Sequence, residues 1–208
     1  MINLDLDNCD RDADFIYDKG NKVREIYNNL VKRSGVKSNF SPNNKKYLLE
    51  YLNKIEDCRS ILEIGVSHNR DERFTSTSAI FDTKKDSTIY IGVDIDNKSH
   101  LDNETKNIYT IQSDASNIPK VMKFAKTKGV ETFDFIFIDG WHSINQCIIE
   151  FNGYGAFLSD KGIIGVHDTN YHPGPRWLVE RSDTTMWNIA EHRGEEFADF
   201  GISFMWKK

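Results

Sequence analysis

Five stretches of the chain are apolar with little polar alternation, and each stops at a glycine or within a few residues of an acid. Ser60 to Ile64 ends at Gly65, Ile89 to Val93 at Asp94, Ile108 to Ile111 shortly before Asp114, Phe133 to Ile138 at Asp139, and Gly162 to Val166 at His167-Asp168. Runs of this kind suit parallel strands covered on both faces by helices. Helical spacing fills the intervals: Ile118, Val121, Met122 and Ala125 form one stripe, and Ile144, Cys147, Ile148 and Phe151 another. Ser143 with Gln146 is a capping-box pattern at the start of the second. Ahead of the first strand, Val23, Ile26, Tyr27, Leu30 and Val31 predict a helix that stops at Ser34-Gly35. A second helix is predicted after Ser41, with Pro42 at its first position and Leu48, Tyr51, Leu52 and Ile55 as its buried stripe. At the other end, Phe197 to Phe200 and Ile202 to Trp206 read as two strand-like pieces joined at Gly201. Pro173-Gly174-Pro175 reads as a loop over the strand ends. Strands alternating with helices imply right-handed crossovers, so the pattern predicts an α/β, doubly wound, mostly parallel sheet. An antiparallel strand is expected near its C-terminus and helices at its N-terminus.

Composition narrows the partners. With 208 residues, 38% of them hydrophobic and 28% charged, the chain has enough apolar surface for one sizeable core. Its net charge of −5, with Lys45-Lys46 and Lys84-Lys85 as isolated pairs, argues against a nucleic-acid partner, which needs a concentrated basic face. No apolar run has the length of a membrane span, and the acidic start lacks the pattern of a secretion signal. Cys9, Cys58 and Cys147 are odd in number and widely spaced, which reads as reduced thiols and a cytoplasmic location.

The strand ends carry the candidate chemistry. In open α/β sheets ligands bind outside the carboxyl ends of the strands. Gly65 there allows close backbone approach, but Val66-Ser67-His68-Asn69 follows it, so the glycine fingerprint that cradles a dinucleotide pyrophosphate is missing. Asp94 stands where a carboxylate accepts hydrogen bonds from ribose hydroxyls, and Asp114-Ala115 within reach of an adenine edge. Any one of these acids serves equally well as a turn or cap residue. Together on one rim they favour a nucleoside-type ligand.

The blocks Ile61-Leu-Glu-Ile-Gly65, Tyr90-Ile-Gly-Val-Asp-Ile-Asp96, Ile111-Gln-Ser-Asp-Ala115, Phe133-Asp-Phe-Ile-Phe-Ile-Asp-Gly-Trp-His142 and Lys161-Gly-Ile-Ile-Gly-Val-His-Asp-Thr169 occur in the order found in class I S-adenosylmethionine-dependent methyltransferases. The chain resembles that family over roughly residues 59 to 170, and within it the branch of catechol-type and macrolide-sugar or cephalosporin-tailoring O-methyltransferases. The resemblance implies a Rossmann-like domain over residues 59–208, with residues 1–58 a helical extension packed on it, in a protein that is one domain overall. It further implies that Glu63, Gly65 and Ser67 meet the methionine part of S-adenosylmethionine, Asp94 the ribose, and Asp114 and Ala115 the adenine, with Asp139 also at the cofactor. Ser76-Thr77-Ser78 matches the family's opening of the first crossover helix, whereas the loop of residues 66–75 lacks the usual further glycines.

In the metal-dependent members the acid after the fourth strand, with acids or amides after the fifth, binds Mg²⁺, which also binds the acceptor hydroxyl. Asp139 and Asp168 match two of those ligands, and Asn170 or His167 is the candidate third. His142, three residues after Asp139, stands where a proton-accepting group is needed. It serves equally well as a turn-orienting residue. Trp141, Tyr171, His172 and Trp177 are candidates for an aromatic wall around an acceptor. The expectation is a Mg²⁺-assisted transfer from S-adenosylmethionine to the hydroxyl of a small-molecule acceptor, with Asp139 and His142 catalytic, without nucleic acid or membrane, and with a homodimer as the candidate assembly. Two alternatives stay open: a metal-independent methyltransferase with a histidine base, and a non-catalytic nucleoside-binding relative.

Overall fold

The computed structural model describes residues 40–66, 75–170, 172–193 and 200–208. Seven strands form one sheet: β1 (Ser60–Ile64), β2 (Ile89–Asp94), β3 (Ile108–Gln112), β4 (Phe133–Ile138), β5 (Leu158–His167), β6 (Trp187–His192) and β7 (Ile202–Lys207). Their spatial order is β3-β2-β1-β4-β5-β7-β6. The first five run parallel, while β7 is antiparallel to both β5 and β6. The helices are α1 (Pro42–Asn53), α2 (Ser76–Thr83), α3 (Ile118–Thr127), α4 (Ile144–Gly155) and α5 (Pro173–Arg181).

The uninterrupted apolar runs are explained by layers on both faces. Successive residues of a strand point to opposite sides, so Leu62, Ile136, Ile138 and Ile164 pack with Val121 of α3, Phe151 of α4 and Leu178 of α5. Ile61, Phe135, Phe137 and Phe204 pack on the other side with Leu48 and Tyr51 of α1 and Ile80 of α2. The helix starts are capped as their sequences suggest. Ser41 Oγ accepts from the Asn44 amide at 3.0 Å ahead of Pro42, and Ser143 Oγ accepts from the Gln146 amide at 3.2 Å. Thr75 and Ser78 form a reciprocal capping box on α2.

Three expectations change. Pro173-Gly174-Pro175 is the first turn of α5, not a loop, because prolines at the first helical positions lack only an N–H that would have no intrahelical partner. The outer partner of β7 is β6, upstream of the segment expected, and Phe200 lies outside any strand; Phe197 and its neighbours lie outside the described residues. β5 begins four residues earlier than its apolar run, at Leu158. The helix expected over residues 23–31 and Cys9 also lie outside the described residues. Cys58 and Cys147 are free thiols, and no described helix is long and apolar enough to cross a membrane.

The sheet order reverses between β1 and β4, and the turns that follow these two strands touch. Gly65 takes φ +84°, and a Cβ there would lie 2.1 Å from the Asp139 carbonyl oxygen. The Asp139 amide in turn donates to the Ile64 carbonyl at 2.9 Å. Beneath this contact Glu63 is fully buried; it accepts from Ser76 Oγ at 2.6 Å and from the Tyr90 hydroxyl. Burial, only partly offset by these donors, pushes its carboxyl up to about 7. Glu150 of α4 is a second buried acid. Its Oε1 accepts from Gln146 Nε2 at 2.8 Å, Oε2 has no hydrogen-bond partner among the described residues, and burial pushes it up to about 8.

Gly65→Ala should cost about 2 kcal/mol or more in denaturant unfolding, since it adds both a clash and a left-handed backbone penalty; unchanged stability would mean that the two turns do not need this approach. The raised carboxyls give a pH dependence of definite sign. At these two sites the folded chain holds protons that the unfolded chain releases, so their contribution to stability is complete in acid. It falls as pH rises from 4.5 through about 7 for Glu63 and about 8 for Glu150. Glu150→Gln should therefore flatten the loss of the unfolding midpoint between about pH 5 and pH 8, where each such group contributes about 1.4 kcal/mol per pH unit over its window. Identical pH profiles for the variant and the parent would show that Glu150 ionises freely.

Candidate active site at the strand ends

The rim is assembled from strand termini. Val66 N–H donates to Asp94 Oδ2 at 2.9 Å and Asp96 N–H to Asp94 Oδ1 at 2.8 Å, which fixes the carboxylate beside the Gly65 turn. Lys98 Nζ stands 3.9 Å from the same carboxylate. Each carboxylate oxygen retains a further lone pair for a ligand hydroxyl. One strand over, the Ser113 amide donates to the Asp94 carbonyl at 2.8 Å, which sets the turn holding Asp114 and Ala115 next to it. Asp114 Oδ1 accepts from the backbone N–H and hydroxyl of Ser116, both at 2.8 Å, and these bonds hold its carboxyl below the usual carboxylate range. The Tyr154 hydroxyl donates to the Ala115 carbonyl at 2.7 Å, tying this turn to α4.

On the other side of Gly65 lies a cluster of acids and imidazoles. Asp139 Oδ1 is 3.0 Å from His167 Nδ1 and 3.8 Å from His142 Nε2. Asp168 Oδ1 is 3.1 Å from His167 Nδ1, and its Oδ2 is 3.2 Å from His142 Nε2 and 3.6 Å from His172 Nε2. Asp168 adopts φ +61°, a left-handed conformation that aspartate tolerates better than most residues, immediately after β5. Burial acts to raise the Asp139 carboxyl, but the facing His167 and His142 outweigh it and hold it well below the usual range. Among the described residues, His142 Nε2 and Asp168 Oδ1 are buried atoms without a hydrogen-bond partner. Orphaned buried polar atoms in such a cluster fit a cation.

Neighbouring elements hold the cluster in place. The Gly174 amide donates to the His142 carbonyl at 3.1 Å, and a Cβ at Gly174 would lie 2.4 Å from that oxygen, so only glycine lets α5 start against this turn. The His142 and His172 rings lie 4.3 Å apart. From the opposite layer, Asn44 of α1 is buried with Nδ2 2.9 Å from His167 Nε2, and the Phe40 ring lies 5.1 Å from the same imidazole.

Of the residues singled out from sequence, Gly65, Asp94, Asp139, His142 and Asp168 share this rim, with Asp114 and Ala115 on the next turn and Glu63 buried beneath. The Asn170 amide lies against the Gly201 backbone: a Cβ there would be 2.6 Å from its Cγ. Trp141 is half-exposed beside the cluster and Trp177 partly buried in α5. Ser67 and Tyr171 lie outside the described residues. Asn44, His172 and Gly174 complete the site without having been predicted in these roles. Of the three, His172 had been singled out for an aromatic wall and Gly174 for its place between two prolines, whereas Asn44 had no local signal.

No protein-family model and no curated protein sequence matches the chain. Solved structures do. MycE methyltransferase of the mycinamycin biosynthetic pathway, in complex with Mg, S-adenosylhomocysteine and mycinamycin VI, superposes with TM-score 0.56 at 21% identity over 81% of this chain; the chain spans about half of MycE, 48%. The O-methyltransferase from Bacillus cereus, in complex with S-adenosylhomocysteine, gives TM-score 0.60 at 16% identity, covering 88% of this chain and 90% of that one. A Staphylococcus aureus protein named for caffeoyl-CoA O-methyl transfer gives TM-score 0.60 at 14% identity, covering 95% and 99%. The chain therefore has the fold of class I S-adenosylmethionine-dependent O-methyltransferases.

Proposed function

We propose that the chain transfers the methyl group of S-adenosylmethionine to a hydroxyl of a small molecule, assisted by a divalent cation at Asp139 and Asp168, for which the resemblance suggests Mg²⁺. One observation carries this reading: a glycine turn, a ribose-type carboxylate and a histidine–carboxylate cluster meet at the strand ends on either side of the β1–β4 reversal. The likeness to MycE, solved with Mg, S-adenosylhomocysteine and mycinamycin VI, supports both the cation and a small-molecule acceptor.

Each residue then has a physical task. Gly65 leaves bare backbone for the methionine part, with Ser67 as a further contact; Asp94 accepts from the ribose hydroxyls; Asp114 and Ala115 meet the adenine. An acceptor hydroxyl is a poor nucleophile until its proton leaves. His142 Nε2 is the atom to take that proton, and the imidazolium so formed stands 3.2 Å from Asp168 Oδ2 and 3.8 Å from Asp139 Oδ1, whose charges stabilise it. A divalent cation, when bound, stabilises the developing alkoxide and fixes its direction. A metal-independent transfer with His142 as sole base is the second reading, favoured by His142 Nε2 already facing the Asp168 carboxylate at 3.2 Å. Turnover that survives a chelator would select it.

Asp94→Ala should weaken S-adenosylhomocysteine binding tenfold or more in calorimetry, on the order of 1.4 kcal/mol for lost hydrogen bonds to a charged group; unchanged affinity would remove Asp94 from the cofactor site. Asp139→Asn keeps the shape of the side chain but not its charge. It should leave that affinity within a few-fold while lowering S-adenosylhomocysteine formation on a panel of sugar and catechol acceptors by about a hundredfold or more. A fully active Asp139→Asn variant would exclude the acid from the chemistry.

A further inference from the structure

The donor atoms in the cluster are not all oxygen. Asp139 Oδ1, His167 Nδ1 and Asp168 Oδ1 face one another, with the nitrogen 3.0 Å from one oxygen and 3.1 Å from the other. Ligands about 2.1 Å from a common ion stand about 3.0 Å apart along an octahedral edge and about 3.4 Å along a tetrahedral one, so these separations already suit a shared metal. Asp168 is more than nine-tenths buried and its Oδ1, aimed into the cluster, has no hydrogen-bond partner among the described residues. Mg²⁺ prefers an all-oxygen shell and keeps its waters, whereas an imidazole nitrogen suits the later divalent transition ions.

We infer that His167 is a ligand of this centre through Nδ1, and that Asp139, His167 and Asp168 together favour an imidazole-accepting ion such as Co²⁺ or Zn²⁺ over Mg²⁺. The inference rests on the cation of the proposed function and names its third ligand and its chemical class. Asn44 supplies the support that a ligating imidazole needs on its other nitrogen, standing 2.9 Å from His167 Nε2. An asparagine amide can present either end. Its NH₂ makes Nε2 an acceptor and leaves the proton on Nδ1, where it bonds Asp139 Oδ1 beside Asp168 Oδ1. Its oxygen takes Nε2–H and turns a bare Nδ1 lone pair toward the same carboxylates. The two settings of one amide correspond to the metal-free and metal-bound forms of the site. His142 is left out of this ligand set, and its Nε2 faces Asp168 Oδ2 instead.

The test uses the full chain, stripped with chelator and titrated separately with Co²⁺, Zn²⁺ and Mg²⁺ by calorimetry, with ¹⁵N-histidine NMR as the readout of ligation. Zn²⁺ should move the His167 Nδ1 resonance and Mg²⁺ should not. His167→Glu, which restores an all-oxygen set, should lower the ratio of Co²⁺ to Mg²⁺ affinity at least tenfold. Asn44→Leu should weaken Zn²⁺ binding about 10- to 100-fold. If no ion binds, if Mg²⁺ binds the parent as tightly as Co²⁺, or if Zn²⁺ binds with the His167 resonance unmoved, the inference is wrong; the NMR arm decides even where a variant fails to fold. Titration of the same samples with S-adenosylhomocysteine separates the two claims. Cofactor binding without the metal result overturns this inference alone, and the metal result without cofactor binding overturns the methyltransferase reading alone.

Discussion

Everything at the rim depends on the contact between the turns after β1 and β4. Gly65 in a left-handed conformation lies against the Asp139 carbonyl, and the Asp139 amide closes the contact by bonding Ile64. Strand order reverses at this point, and in open α/β sheets such a reversal is where a ligand crevice forms outside the strand ends. The glycine side of that crevice leads to Asp94 through the Val66 amide. The Asp139 side leads to His167, His142 and Asp168. One backbone approach therefore sets the distance between the residues suited to a nucleoside and those suited to proton and metal chemistry.

Below the rim the structure holds polar groups that look costly until their partners are counted. Glu63 binds the hydroxyls of Ser76 and Tyr90, so a single carboxyl joins β1, β2 and the first turn of α2 beneath the glycine turn. Its raised pKa reflects burial exceeding what those donors return. Asp134, at the opposite end of the sheet, accepts from the Arg59 amide and the Ser159 hydroxyl, both at 2.8 Å. Satisfied in this way, acids can lie within otherwise apolar strands without breaking them.

How much of this was legible in sequence follows from the range of each interaction. The parallel strands were visible because burial on both faces demands unbroken apolar runs, and Gly65, Asp94 and Asp139 because the strand end itself is a local signal. β6 was missed for the converse reason: Trp187-Asn-Ile-Ala-Glu-His is an edge strand, only partly buried, and carries no such run. Pro173-Gly174-Pro175 misled because the same residues that break a chain also begin a helix, and what decides is the His142 carbonyl awaiting Gly174. Asn44 had no signal at all, since its contact with His167 spans 123 residues.

That contact changes the meaning of α1. As a packing element it contributes Leu48, Tyr51 and Leu52 to the core, a role that any amphipathic helix can fill. Asn44 does something that packing does not require: it places a polar amide, 1% exposed, against the far nitrogen of an imidazole in the site. Phe40 closes the same side, its ring tilted at 52° to that imidazole. Displacing α1 would thus strip His167 of its Nε2 partner and expose the ring to water, while the Gly65 turn and Asp94, which lean on β2 instead, would keep their bonds. The two halves of the crevice are therefore supported by different parts of the chain, and damage to α1 must reach the His167 side before it reaches the nucleoside side.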